Sequence, residues 1–180
     1  LLGLISFGGL WFFGFKDYQK QRILTFLHPL SDITNTGYNA YQSTVAVGSG
    51  QWFGKGVGFG TQSRLQFLPE YQTDFIFASA SEELGFVGSS VILILYFILL
   101  FRLLVIYRIS RDDLSRFVVI GIFFMIFGQV VINIGMNMGI LPVTGIPLPF
   151  LSYGGSSLMT VAISMGIAEA VAVNAKGLRL

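Results

Sequence analysis

No charged residue occurs between Phe117 and Ala168. Those 52 residues are too many for one membrane crossing, which takes about 20 apolar residues, and they suit two. The division falls at Leu141-Pro-Val-Thr-Gly-Ile-Pro-Leu-Pro-Phe-Leu-Ser-Tyr-Gly-Gly155, where three prolines and three glycines forbid a continuous helix. The whole chain is 11% charged and 53% hydrophobic, with mean hydropathy +0.73. A soluble domain is usually about 25% charged, so a single soluble domain is excluded and an all-α, polytopic membrane protein is expected.

The rest of the chain divides around this stretch. Residues 1–15 are apolar but short of the length of a crossing, and read as a truncated span in the C-terminal part of a longer protein. Residues 16–85 form a large, polar, glycine- and aromatic-rich loop, expected to hold short helices, one of them starting near Asp74. A span is expected at 86–107, with Arg102 snorkelling near its end. A charged turn follows at 108–116, then a span at 117–138, the Pro/Gly loop at 139–155, a span at 156–173 and a tail at 174–180. Arg108, Arg111 and Arg116 share a face with Lys176 and Arg179, since two crossings separate the groups. The positive-inside rule makes that face cytoplasmic and the two larger loops extracytoplasmic. Lys16, Lys20, Arg22, Lys55 and Arg64 lie in the long outer loop, where the rule weakens.

Four of the nine acidic residues fall between Glu70 and Glu83, just before the expected 86–107 span. Carboxylates at a membrane boundary must stay wet, pair or bind something, so the cluster is a candidate site. Asp74, flanked by Phe75 and Phe77, is either a base with raised proton affinity or a plain helix cap, with Thr73 the alternative cap. On a helix, Asp74 and Glu82 would stand about 12 Å apart, too far for a two-carboxylate mechanism. The segment from Gly48 to Gly60 is either a backbone cradle for a phosphate, with Lys55 as its cation, or a tight-turning loop. Gln129, Asn133 and Asn137 recur every fourth residue, a stripe best read as interhelical hydrogen bonding. Ser152, with the N–H groups near Gly154 and Gly155, either faces an anion or only reverses the chain. There is no cysteine and one histidine, His28, so thiolate and multi-histidine metal sites are excluded. No Lys/Arg run points to nucleic acid.

The segments Gly60-Thr-Gln-Ser-Arg-Leu-Gln-Phe-Leu-Pro-Glu-Tyr-Gln-Thr-Asp-Phe-Ile-Phe77, Glu82-Glu-Leu-Gly-Phe-Val-Gly88 and Gly139-Ile-Leu-Pro-Val-Thr-Gly-Ile-Pro-Leu-Pro-Phe-Leu-Ser-Tyr-Gly-Gly-Ser-Ser157 resemble the SEDS family. Tyr18-Gln-Lys-Gln-Arg-Ile and the Gly-Thr-Gln-Ser place the chain nearer its RodA branch than its FtsW branch. The resemblance covers nearly the whole chain and the C-terminal half of such proteins. It implies a multi-helix membrane peptidoglycan glycosyltransferase of the bacterial cytoplasmic membrane, its active site facing outward. Such an enzyme polymerises lipid II for cell elongation and shape and works with a class B penicillin-binding protein. Its essential aspartate corresponds to Asp74. Lys55, Gln62, Glu70, Thr73, Ser152, Gly154 and Gly155 are expected to hold substrate. Leaving-group charge would be met by Lys55 and loop N–H groups or by a divalent cation. A lipid II flippase and a non-catalytic scaffold for the penicillin-binding protein are the rival readings.

Overall fold

A computed structural model describes residue 16, residues 19–20, 22, 26, 36–61 and 70, and residues 72–177. The expected span at 1–15 lies outside the described residues, as do His28 and Gln62. The described chain is all helical, with no strand among its residues. Four helices are α1 (Thr36–Ser49), α2 (Ile76–Ile109), α3 (Asp113–Asn137) and α4 (Gly155–Gly177). The last three are long and apolar enough to cross a membrane. The part of α2 from Phe86 to Ile109 is about 36 Å long at 1.5 Å per residue, enough by itself for a hydrocarbon core of about 30 Å.

The helices start and stop for local reasons. Asp112 caps α3, its side chain accepting from Ser115 N at 2.9 Å. At the other end of α3, Ile140 and Leu141 N–H groups fold back on the Gly135 carbonyl, satisfying an orphan acceptor of the last turn. The Pro/Gly stretch then runs without helix to Gly155, where α4 begins.

Side chains on the inner faces of α2, α3 and α4, with Leu148 from the Pro/Gly loop, build the main core: Leu103, Ile106, Val119, Ile126, Leu148 and Ala168 are all nearly or fully buried. Tyr96 anchors the Pro/Gly loop to α2 by donating to the Pro149 carbonyl. The outward faces carry exposed aromatics such as Phe97, Phe101, Phe117 and Phe124, the pattern of a surface solvated by acyl chains rather than water. A second, smaller core of Ala46, Phe75 and Ala78 seats α1 against the start of α2.

Helix α2 is broken at Gly85, where φ is 69° and ψ is −166°. The break frees carbonyls before it and N–H groups after it. The segment after α1 satisfies both sets: Lys55 N and Gly56 N donate to the Glu82 and Glu83 carbonyls, and Phe86 N and Val87 N donate to those of Gln51 and Trp52. A Cβ on Gly85 would sit 2.2 Å from Gly54 N and 2.7 Å from Trp52 O. Gly85→Ala therefore adds a backbone clash to a left-handed φ, itself worth about 1–2 kcal/mol. It should lower the apparent melting temperature in detergent by several degrees. Gly121→Ala, whose added Cβ meets open space in α3, should leave it unchanged or raised; equal behaviour of the two variants would contradict the docked break.

Candidate active site

Asp74 lies in the turn just before α2, and that turn is held by other parts of the molecule. Within the turn, the Thr73, Asp74 and Phe75 N–H groups converge on the Glu70 carbonyl at 3.1, 3.2 and 3.3 Å. Glu70 takes a left-handed φ of 56°, uncommon for a side chain with a Cβ. The Thr73 hydroxyl donates to the Glu70 carbonyl and carboxylate at 3.2 and 3.0 Å.

Three consecutive carbonyls of the turn are then gripped from outside. Gln72 O accepts from Tyr153 N at 2.8 Å. Thr73 O accepts from the Ser152 hydroxyl at 2.6 Å. Asp74 O accepts from the side-chain amides of Asn133 and Asn137 at 3.0 and 3.1 Å. In a regular helix Asp74 O would bond Ala78 N. Here Ala78 N donates to Asn137 Oδ1 instead, so one amide is inserted between the two and holds the first turn open. The expected cap at Thr73 or Asp74 is thereby corrected: Phe75 occupies the N-cap position, with no side-chain cap of its own, and Asn137 supplies the missing partners from α3. Both asparagines are fully buried, and Asn133 also donates to Ile146 O at 2.8 Å. Asn137 thus bonds across helices, to Ser43 and Ala78, and with Asn133 it holds the turn that carries Asp74, whereas the buried Gln129 Oε1 has no partner among the described residues.

The Asp74 carboxyl is half-buried and faces the Pro/Gly loop. Gly145, at φ 77°, comes so close that a Cβ there would lie 3.2 Å from Asp74 Oδ2. Burial raises the proton affinity of Asp74 above the ordinary carboxylate range, repulsion from Glu70 raises it further, and the Arg22 guanidinium opposes both. Arg22 donates to the Val143 and Thr144 carbonyls at 3.2 and 2.9 Å. It also lines a cavity of about 220 Å³ with Phe26, Tyr41, Leu141, Pro142 and Val143. Arg22 stands among the outer-loop charges in the sequence, and nothing local marks it as Asp74's neighbour.

The remaining expected site residues divide. Ser152, Thr73 and Glu70 are brought to Asp74, but the Ser152 hydroxyl is spent on Thr73 O and Leu148 N, and the segment it belongs to holds the turn. Gly154 and Gly155 follow directly at the start of α4, where the Gly154 carbonyl accepts from Leu158 N and the Ser157 hydroxyl. Lys55 is not at Asp74. Its ammonium lies 2.6 Å from Glu82 Oε1, an oxygen that also accepts from Thr61 N and Thr61 Oγ1 at 2.9 Å, and Glu82 is fully buried. The phosphate-cradle reading of the glycine-rich segment is corrected with it. The Gly54, Lys55 and Gly56 N–H groups are spent on the Gly50, Glu82 and Glu83 carbonyls, so the segment is the tight-turning loop, docked on the Gly85 break. Among the described residues no three His, Cys, Asp or Glu side chains gather as a metal site.

The family model of the FtsW/RodA/SpoVE cell cycle proteins matches residues 1–177. The chain is 47% identical over 167 residues to the peptidoglycan glycosyltransferase MrdB of Escherichia coli K12, covering 93% of this chain and 45% of that protein. It is 48% identical over 169 residues to the stage V sporulation protein E of Bacillus subtilis, with the same coverage. It is 41% identical over 161 residues to a probable peptidoglycan glycosyltransferase FtsW of Geobacter metallireducens, covering 89% of this chain and 43% of that one. Among solved structures it is similar to a chain of a peptidoglycan synthase complex that coordinates polymerization and crosslinking. There the TM-score is 0.76 at 31% identity, over 97% of this chain and 47% of that one. The chain thus spans just under half the length of the relatives it matches.

Proposed function

This chain belongs to the FtsW/RodA/SpoVE family of cell cycle proteins, and on that premise we propose that it carries the catalytic aspartate of a peptidoglycan glycosyltransferase. The chain is a multi-pass membrane protein of this family. The substrate is lipid II, presented on the outer side of the bacterial cytoplasmic membrane. Asp74 is the general base: its carboxylate takes the proton of the acceptor sugar hydroxyl. That oxygen attacks the anomeric carbon of the lipid-linked donor, a glycosidic bond forms, and the bond to the diphosphate breaks as the lipid leaves. The observation that carries this reading is the environment of Asp74. Four groups from two other segments fix the turn's backbone, leaving the carboxyl at a loop wall, half-buried and with raised proton affinity. A base so tuned is more effective near neutral pH than an ordinary carboxylate.

Charge on the departing diphosphate needs a cation, and Lys55 is committed to Glu82. Arg22 is the better candidate. A guanidinium carries five donors, and the two carbonyl bonds of Arg22 engage one nitrogen. The cavity it lines is otherwise mainly apolar, which suits an amphiphile with an anionic end. A divalent cation, if the reaction uses one, would draw on the carboxylates of Asp74 and Glu70 and on substrate phosphate oxygens. The partner is a class B penicillin-binding protein, a reading supported by the synthase complex of the solved relative. A transporter would draw on the Gln129/Asn133/Asn137 stripe for a polar path, and two of its three members are occupied in holding the Asp74 turn.

The deciding experiment is polymerisation of purified lipid II by the full-length protein with its partner, the partner's own activity blocked by a β-lactam. Polymer formation supports the enzyme; translocation without polymer supports a flippase; partner activation unaffected by Asp74→Ala supports a scaffold. A finer check follows from the sign of the electrostatics. Glu70 raises the proton affinity of Asp74, so Glu70→Gln should move the acid limb of the rate profile to lower pH. Arg22→Gln should move it the other way, since Arg22 lowers that affinity. An acid limb unmoved by either substitution would show that Asp74 does not set it.

A further inference from the structure

We propose that the tip of the 50–60 loop is a membrane-interface anchor, seating Trp52, Phe53, Val57 and Phe59 in the headgroup zone of the leaflet where α2 begins its crossing. The tip is apolar and turned outward: these side chains are 67, 82, 73 and 66% exposed. Its level along α2 is fixed, because four backbone hydrogen bonds tie it to Glu82, Glu83, Phe86 and Val87. That level is where the exposed apolar face of α2 begins, with Phe86, Val87, Val91 and Ile94 all outward. The Trp52 ring meets Phe86 edge-on at 5.3 Å, so the loop tip and the lipid-facing side of α2 form one continuous apolar surface.

Charge points the same way. Lys55 is the only charged residue between Gly50 and Gly60, and it is turned back onto buried Glu82. Aromatic rings held at the end of a crossing are the side chains that favour the water–lipid boundary, and apolar groups lying in that zone penetrate about 5–10 Å. The Gly85 break and its docked loop then serve a second end. They hold a flat aromatic foot beside α2, fixing the depth at which the outer segments sit above the bilayer.

The full-length protein in lipid nanodiscs tests this with Trp52 as sole tryptophan, Trp11 and any other being replaced by phenylalanine. With lipids brominated high on the acyl chain, Trp52 emission should fall by about half, and aqueous iodide should quench it little. Quenching by iodide and not by brominated lipid would place the tip in water and overturn the proposal. Insensitivity to both would show that protein covers it, and would equally overturn it. Phe53→Cys carrying a nitroxide, in a cysteine-free background, gives an independent reading. Oxygen should relax the label more strongly than a water-soluble nickel complex, and the reverse order would refute the anchor.

Discussion

Asp74→Asn should cut lipid II polymerisation by about 10²- to 10⁴-fold, the usual contribution of a positioned general base, while leaving the protein folded. Both halves of that expectation come from the same geometry. The contacts of Asn133, Asn137 and the Asp74 N–H are made to the main chain of residue 74 or from it, so an isosteric side chain disturbs none of them. What is removed is the ability to accept a proton. Asp74→Glu should also lose most activity for a different reason. An extra methylene would carry the carboxyl away from the position it now holds beside Gly145. Purified variants at matched expression, assayed with the β-lactam-blocked partner, would settle it. An asparagine enzyme that keeps near-normal turnover would remove Asp74 from the base role.

The three long apolar helices are legible because hydropathy is a local property. The uncharged stretch from Phe117, the Pro/Gly interruption and the charged turn at 108–116 each announce themselves within about twenty residues. Asp74 is visible as a carboxylate at a membrane boundary, yet its base and capping readings stay open in the sequence, because the groups that hold its turn come from distant segments. Asn133 lies 59 positions away and Ser152 lies 79 from Thr73. The stripe of Gln129, Asn133 and Asn137 carried the signal of polar pairing but not the identity of the pairs. The glycine-rich segment leaves its two readings open for a physical reason. Glycines that let N–H groups converge on a phosphate let them converge equally on free carbonyls. The sequence of α2 holds no proline to reveal that its helix breaks and exposes such carbonyls; Gly85 and Gly88 were the available hint. Lys55 shares that ambiguity, since nothing local matches it to its partner Glu82, 27 positions away.

Lys55 gives the second large effect, and it distinguishes a structural lysine from a substrate-binding one. Lys55→Ala would remove the ammonium from the fully buried Glu82 carboxylate and leave its Thr61 bonds in place. Breaking a buried pair typically costs 3–5 kcal/mol, and since Lys55 is about a third exposed the lower end, roughly 3 kcal/mol, is expected. The loop that satisfies the Gly85 break would loosen with it, so apparent stability in detergent and polymerisation should fall together. The double variant Lys55→Met/Glu82→Gln changes the outcome. It removes both charges, keeps the lysine's apolar stem, and leaves an amide oxygen to accept from Thr61 N–H and its hydroxyl. Neutral replacement of a buried pair is often without cost, so this variant should be more stable than Lys55→Ala and regain turnover along with stability. If Lys55 instead met the diphosphate, the double variant would recover stability yet remain slow, with a weakened apparent affinity for lipid II. Stability and rate rising together place Lys55 in the scaffold, and stability rising alone would return it to the active site.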